Sequence, residues 1–234
     1  MPLPSSLSPS LSDIAGMIDH TVLAPNSRRE AFVEACRFAA EARCASVCIC
    51  PFFVRDCAAL LRGTGVKTCT VVGFPHGTTT TAAKVAEAKI AIDDGAEELD
   101  MVVNIAKVKD GDWDCVKADI AAVTEAVHAA GRKIKVIFEN CYLEREEKIR
   151  LCQICTELRC DWVKTSTGFG TGGSTIEDLQ LMKAHVGPDV QIKAAGGIRT
   201  LDQLLDARAV GVTRVGCSRS SDVLAELRTR LAGG

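Results

Sequence analysis

Residues 16–26 read GMIDHTVLAPN, an apolar run closed by a proline-containing turn. The turn decides between two folds. In an open doubly wound sheet the first strand enters its helix through G-x-G-x-x-G, whose glycines let the backbone approach a pyrophosphate. Here Leu23-Ala-Pro-Asn26 stands in that place, which removes the main support for an open sheet. Seven more short apolar runs follow, at 44–50, 66–72, 97–103, 133–139, 161–165, 190–194 and 213–217. Their starts recur roughly every 22 to 36 residues, the scale of a strand–helix–strand unit. No Pro/Gly/Ser-rich linker divides them. Eight such units in 234 residues predict one (β/α)8 TIM barrel over 1–234, near the ~250-residue norm. A short helix is expected before the first strand, and residues 1–10, MPLPSSLSPS, are expected to be flexible.

The intervening segments carry helix punctuation. Ser27-x-x-Glu30, Ser174-x-x-Glu177 and Thr200-x-x-Gln203 read as capping boxes, which satisfy the free N–H groups of a first helical turn. Gly95 and Gly131 fall where helix C-terminal glycines belong. In AAKVAEAKIAI (82–92), the helical period places Ala82, Val85, Ala86, Lys89 and Ile90 on one apolar stripe, with the Lys89 stem at its edge.

Composition narrows the function classes. The chain is 47% hydrophobic and 25% charged, enough apolar material for a full core, and its net charge of −2 offers no general attraction to nucleic acid or anionic membrane. No apolar run has the length of a membrane span. Twelve cysteines are scattered through apolar segments with no secretory signal before them, so free thiols in a reducing cytoplasm are expected. Cys152-x-x-Cys155, with Cys160 nearby, resembles half a zinc site or a redox pair. It lies in a helical segment without a second ligand pair, which favours packing.

In a barrel, chemistry gathers at the C-terminal ends of the strands, so polar residues that interrupt apolar runs there are the candidates. They are Asp19 and Thr21 on the first strand, Asp100 on the fourth, Glu139 on the fifth, Lys164 on the sixth and Lys193 on the seventh. Lys164 and Lys193 sit at similar points on consecutive strands about 4.8 Å apart. If both point inward, repulsion and desolvation favour a neutral amine on one of them, a nucleophile toward aldehydes. The alternative is that one or both snorkel outward between helices. Asp100 can balance one ammonium and pass protons, or cap a helix, although Val102-Val103 continue the strand beyond it. His20 reads as a hydrogen-bonded core histidine. Two glycine-rich turns, Ala194-Ala-Gly-Gly-Ile-Arg-Thr200 and Gly216-Cys-Ser-Arg-Ser-Ser221, follow strands seven and eight, where barrels commonly hold phosphate. A phosphorylated carbonyl substrate suits the pair of loops and the pair of lysines.

The motifs IDHTVLAP (18–25), VGFPHG (72–77), EELDMVVNI (97–105), KVIFEN (135–140), VKTSTGFGTGGST (163–175) and KAAGGIRT (193–200) together resemble the deoxyribose-phosphate aldolase family of Schiff-base (class I) aldolases, over residues 11 to 225. The resemblance implies reversible cleavage of 2-deoxy-D-ribose 5-phosphate to acetaldehyde and D-glyceraldehyde 3-phosphate, with no metal and no cofactor. It implies Lys164 as the Schiff-base lysine, Lys193 as its electrostatic partner and Asp100 as a proton relay. By the same resemblance Gly168, Gly196, Gly197, Gly216 and Ser218 line the phosphate site, and Asp19, Thr21, Cys48 and Thr167 surround the sugar chain. A cytoplasmic homodimer, acting on small phosphorylated sugars and aldehydes and on neither nucleic acid nor membrane, is the expected setting.

This chain departs from the family pattern in places. Arg219 replaces a second serine of some members; it is counted with the substrate residues as a charged phosphate contact, its alternative being solvent. Phe169 stands where some members have lysine, Cys50 where many have asparagine, and Asn140 where threonine is common. The only tyrosine is Tyr142, so a tyrosine tail of the kind some members use for proton transfer is not matched, and the relay falls to Asp100, Lys193 and water. The competing readings are another Schiff-base lyase with a different donor, and a silent barrel that binds a sugar phosphate.

Overall fold

The computed structural model describes residues 9–233. Eight parallel strands close on themselves in sequential order: β1 (Ile18–Val22), β2 (Ser46–Ile49), β3 (Lys67–Val72), β4 (Glu98–Val102), β5 (Lys133–Ile137), β6 (Trp162–Lys164), β7 (Gln191–Ala195) and β8 (Arg214–Cys217). Each of the eight expected runs holds one strand, β7 alone running one residue past its expected end. Helix α1 (Leu11–Ala15) precedes β1, as expected. The helical layer is α2 (Arg29–Ala42), α3 (Val54–Leu61), α4 (Thr81–Asp93), α5 (Ile105–Lys109), α6 (Trp113–Ala129), α7 (Arg145–Glu157), α8 (Ile176–His185), α9 (Leu201–Val210) and α10 (Ser220–Ala232). Short 3₁₀ turns at Pro51–Phe53 and Asn140–Tyr142 follow β2 and β5. No helix among the described residues is long and apolar enough to cross a membrane.

The expectation of a flexible 1–10 falls mostly on residues outside those described. Of the two that are described, Pro9 is buried and Ser10 caps α1 through a capping box with Asp13. Thr200 and Gln203 form the expected box at α9. The other two do not form. Arg28 precedes α2 without a side-chain cap, and Thr175, one residue later than expected, caps α8 by accepting from Asp178 N–H. Either Ser174 or Thr175 can cap; the chain spends Ser174 N–H on Gly196 carbonyl at 2.9 Å, which commits Ser174 to the loop.

The stripe predicted on α4 is also corrected. Its buried residues are Lys84, Ala88 and Ala91, while Ala82, Ala86, Lys89 and Ile90 are exposed. The small alanines let α4 lie close, and the Lys84 stem fills the space beneath Gly73. Its ammonium donates to the Val102 carbonyl at 2.9 Å and to Asp119 on α6 at 2.6 Å. A Cβ on Gly73 would stand 2.8 Å from Lys84 Cε, so the β3–α4 loop and a buried ion pair are fitted to each other. Cys152 and Cys155 are buried on the core face of α7 in the main hydrophobic cluster, consistent with packing.

Between strands and helices the core is conventional, built from Val, Ile, Leu, Ala and Cys. Inside the barrel it is not. Strand alternation and the parallel register bring Asp19, Ser46, Glu98, Asp100, Lys135, Lys164, Lys193 and Arg214 to the interior, where all but Arg214 are almost fully buried. A small apolar group of Leu23, Cys48, Cys69 and Val71 fills the side formed by β1 to β3.

Candidate active site

Asp100 is the hub of the interior. Its Oδ2 accepts from Lys164 Nζ and from Lys193 Nζ, each at 2.7 Å, so the two nitrogens lie no more than twice that distance apart. Its Oδ1 accepts from Lys135 Nζ at 2.9 Å and from Cys69 Sγ at 3.3 Å. A lower tier holds this hub in place. Lys193 also donates to Asp19 Oδ2 at 2.5 Å; Arg214 spans Asp19 Oδ1 at 2.6 Å and Glu98 at 2.8 Å; Lys135 reaches Glu98 Oε2 at 2.6 Å. Ser46 donates to Asp19 Oδ1 at 2.6 Å. Trp162 packs against two of these cations, with Lys135 Nζ at 5.7 Å and Arg214 Cζ at 5.0 Å from its ring centre.

Burial alone would favour neutral carboxyls, yet Lys135, Lys164 and Lys193 outweigh it and hold Asp100 well below the usual carboxylate range. Asp19 is lowered in the same way, against burial, by Lys193, Lys135 and Arg214. For Lys193, burial favours the neutral amine, but the Asp100 and Asp19 carboxylates raise it well above an ordinary lysine, and Lys135 is raised against burial by Asp100. Lys193 is therefore a fixed ammonium at neutral pH. Four cationic side chains, Lys135, Lys164, Lys193 and Arg214, face three carboxylates, Asp19, Glu98 and Asp100.

Above the hub, at the C-terminal ends of the strands, opens a cavity of about 360 Å³. Of the four interior cations only Lys164 lines it. Thr21, Thr167, Gly168, Gly196, Gly197, Gly216 and Ser218 share the wall. Glu139, in the left-handed region at φ 59, accepts from Thr167 N–H at 3.1 Å and from the Thr167 hydroxyl, which fixes the turn after β6. That turn crosses the one after β7 so closely that a Cβ on Gly173 would lie 2.3 Å from the Gly196 carbonyl oxygen. Gly196 and Gly197 take φ values of 78 and 86, which non-glycine residues rarely adopt. Such a turn leaves backbone N–H groups free to face an anion. Phe169 meets Phe74 edge-on, ring centres 5.4 Å apart, at one rim.

Of the expected residues, Asp100 and Lys193 lie directly beneath Lys164 rather than in the cavity wall. Asp19 and Cys48, read as sugar contacts, are likewise buried below it: Asp19 anchors Lys193, and Cys48 faces Cys69. Arg219 lies off the cavity altogether. It forms the N-terminal boundary of α10, where its exposed guanidinium turns to Asp222 at 3.7 Å. Arg199, in the quoted KAAGGIRT but given no role, lines the cavity instead. The sequence reading also passed over Lys135, Glu98 and Arg214. Lys135 had a signal: it is two positions from Ile137 and in register with Asp100, hence on the same inward face.

A family model described as DeoC/LacD family aldolase matches residues 14–216. A deoxyribose-phosphate aldolase of Rhodopirellula baltica is 57% identical over 94% of this chain and 91% of its own length. One from Aciduliprofundum boonei is 47% identical over 92% and 97%. Among solved structures, a deoxyribose-phosphate aldolase from Aeropyrum pernix, described as tetrameric, superposes with a TM-score of 0.88 at 27% identity, covering 94% of this chain and 93% of that one.

Proposed function

The chain belongs to the DeoC/LacD family of aldolases, and from that premise we propose that it is a class I aldolase that reversibly cleaves 2-deoxy-D-ribose 5-phosphate to acetaldehyde and D-glyceraldehyde 3-phosphate, with Lys164 as the nucleophile. One observation carries the assignment: Lys164 is the interior cation that reaches the cavity, and it shares a single Asp100 oxygen with Lys193.

The neutral Lys164 amine adds to the C1 aldehyde of the open-chain sugar. Loss of water from the adduct consumes one proton, delivered by water in the cavity, and leaves a protonated imine. That cation has Asp100 as its counter-ion. The electron pair of the bond between carbons 2 and 3 then flows into the imine, and the 3-hydroxyl proton departs, giving glyceraldehyde 3-phosphate and an enamine. Protonation of the enamine at carbon 2 and hydrolysis of the resulting imine release acetaldehyde and regenerate Lys164. Proton uptake and release balance over the cycle, and Asp100, Lys193 and water form the relay. The imine is itself the electron sink, so the reaction calls for neither metal nor organic cofactor. Gly168, Gly196, Gly197, Gly216 and Ser218 are assigned to the phosphate, and Arg199 takes the place expected for Arg219. Assembly as a homo-oligomer in the cytoplasm belongs to the same proposal; a two-fold dimer is the simplest closed form, and light scattering on the eluted protein decides it.

Borohydride reduction with acetaldehyde is expected to leave an ethyl group on Lys164, mapped by peptide mass spectrometry. Lys164→Ala should lose both the label and roughly 10³-fold or more of kcat. A folded enzyme labelled on another lysine, or labelled only with pyruvate or dihydroxyacetone phosphate, would overturn the assignment.

A further inference from the structure

Glu139 is buried at the end of β5 in a left-handed backbone conformation, φ 59 and ψ 62, which glycine adopts freely and other residues do not. The chemistry above gives it no step. Among the described residues the hydrogen-bond donors to its carboxylate both belong to Thr167, and neither is a cation. Burying a carboxyl group without a cation is costly. We propose that Glu139 is a positioning residue: it makes the Thr167 hydroxyl a fixed hydrogen-bond acceptor facing the cavity, which selects second aldehydes that carry a hydroxyl beside the carbonyl carbon. The proposal rests on the aldolase reading and assigns a specificity determinant within it.

Three observations carry this. First, the hydroxyl is committed. It donates its one hydrogen to Glu139 Oε2, and its oxygen accepts from Phe169 N–H at 2.9 Å. A hydroxyl has one hydrogen and two lone pairs, so a single lone pair is left for the cavity that Thr167 lines. Second, the partner has to be a carboxylate. Glu139 Oε1 takes Thr167 N–H at 3.1 Å while Oε2 takes the hydroxyl, and only a group that accepts at both ends does this. A glutamine would accept from the N–H but present its own NH₂ to the hydroxyl and turn it around. The turn is closed on this carboxylate: a Cβ on Gly170 would stand 3.0 Å from Glu139 Cδ and 3.2 Å from Oε2. Third, the place is right. Thr167 stands in the chain between Lys164 and Gly168, and all three line the same cavity. A sugar phosphate tied through carbon 1 to Lys164, with its phosphate on the glycine turns, lays its hydroxyl-bearing carbons along the wall between them. The hydroxyl on carbon 4 survives cleavage as the α-hydroxyl of glyceraldehyde 3-phosphate. Unlike the 3-hydroxyl it stays a donor throughout the reaction, so a fixed acceptor suits both directions.

The test compares two second aldehydes in the addition of acetaldehyde: D-glyceraldehyde 3-phosphate, and 2-fluoro-3-oxopropyl phosphate of matching configuration, whose fluorine replaces the hydroxyl and cannot donate. The effect of fluorine on the carbonyl is common to parent and variants, so a change in the hydroxyl-to-fluoro ratio of kcat/KM reports the wall. Glu139→Gln should lower that ratio about tenfold or more, and Thr167→Val should lower it too, because the acceptor is turned away in one and removed in the other. Thr167→Ser should keep the parental ratio. The double variant should match Thr167→Val alone, since Glu139 acts through Thr167. A Glu139→Gln enzyme that loses kcat/KM for both aldehydes alike would show a structural role only and overturn the proposal, as would a parental ratio in Thr167→Val. If Glu139→Gln does not fold, Glu139→Gly suits the left-handed backbone and frees the hydroxyl to rotate, and it should lower the ratio in the same direction. Ethylation of Lys164 by acetaldehyde and borohydride involves no second aldehyde and should persist in every variant. Its absence from the parent marks failure of the aldolase reading, whereas a labelled parent whose variants keep the ratio marks failure of this one.

Discussion

Lys135 holds both tiers of the interior together, contacting Asp100 at 2.9 Å and Glu98 at 2.6 Å. Replacing it with methionine keeps most of the volume but leaves two buried carboxylates short of a cation. Such one-sided removal typically costs about 3–5 kcal/mol. Lys135→Met is therefore expected to lower the urea midpoint strongly and to reduce kcat, since Asp100 would draw more tightly on Lys164; a variant with parental stability would show that the lower tier compensates. Lys133 stands two positions earlier with the same strand parity, yet it is exposed and pairs with Asp161 at 2.7 Å. Parity told the inward from the outward face of β5, but not the depth along the barrel axis. Lys135 is the register partner of Asp100, so depth does not separate those two; Lys135 was missed because the alternation Lys133-Ile134-Lys135-Val136 reads as a solvated face, whereas Asp100 interrupts an apolar run.

Among the elements, the turns after β6 and β7 bear most directly on the substrate. They pack backbone to backbone at Gly173 and Gly196, and Ser174 N–H donates across the crossing. Gly173→Ala would push a methyl into the Gly196 carbonyl and displace the Gly196–Gly197 turn from the cavity wall. The expected result is a KM for 2-deoxyribose 5-phosphate raised about tenfold or more, with a smaller change for unphosphorylated 2-deoxyribose, because about 1.4 kcal/mol of lost phosphate binding is a factor of ten. Equal effects on both sugars would remove these turns from phosphate recognition. Helix α4 shows the limit of periodicity at this scale. Its apolar residues are small and numerous enough to suggest several stripes, and the buried one is chosen by a partner, the Asp119 carboxylate on α6, that draws Lys84 inward.

The barrel as a whole is closed by pairing β1 with β8, and His20 braces that seam from the helical side. Its Nδ1 lies 3.0 Å from Ser220 Oγ on α10 and its ring packs on Phe38 of α2. Burial pushes His20 down from 6.5 to about 4. Because the native state resists a proton that the unfolded chain accepts, stability is full above pH 6.5 and falls as pH drops toward 4, by at most about 3 kcal/mol. Asp19 and Asp100 are shifted the other way relative to their charge, so their contribution is intact above the unfolded value of 3.8 and is lost only as pH falls below it. Urea titrations at pH 7 and pH 5 should thus show a loss that His20→Asn largely abolishes; an unchanged loss would move its origin elsewhere. The order of strands and helices was determined by the sequence alone, because alternation, helix caps and glycines are local and each is set by a few neighbouring residues. So was the choice of Asp100, Lys164 and Lys193 as candidates, since a charge within an apolar strand is costly wherever it occurs. Only the tertiary structure decided which ammonium meets the cavity, that Asp19 and Cys48 lie beneath it, and that Arg199 rather than Arg219 faces it. Those outcomes depend on barrel closure, which brings residues far apart in sequence onto the same carboxylates, and the energy of a buried charge is set by partners that no local pattern contains.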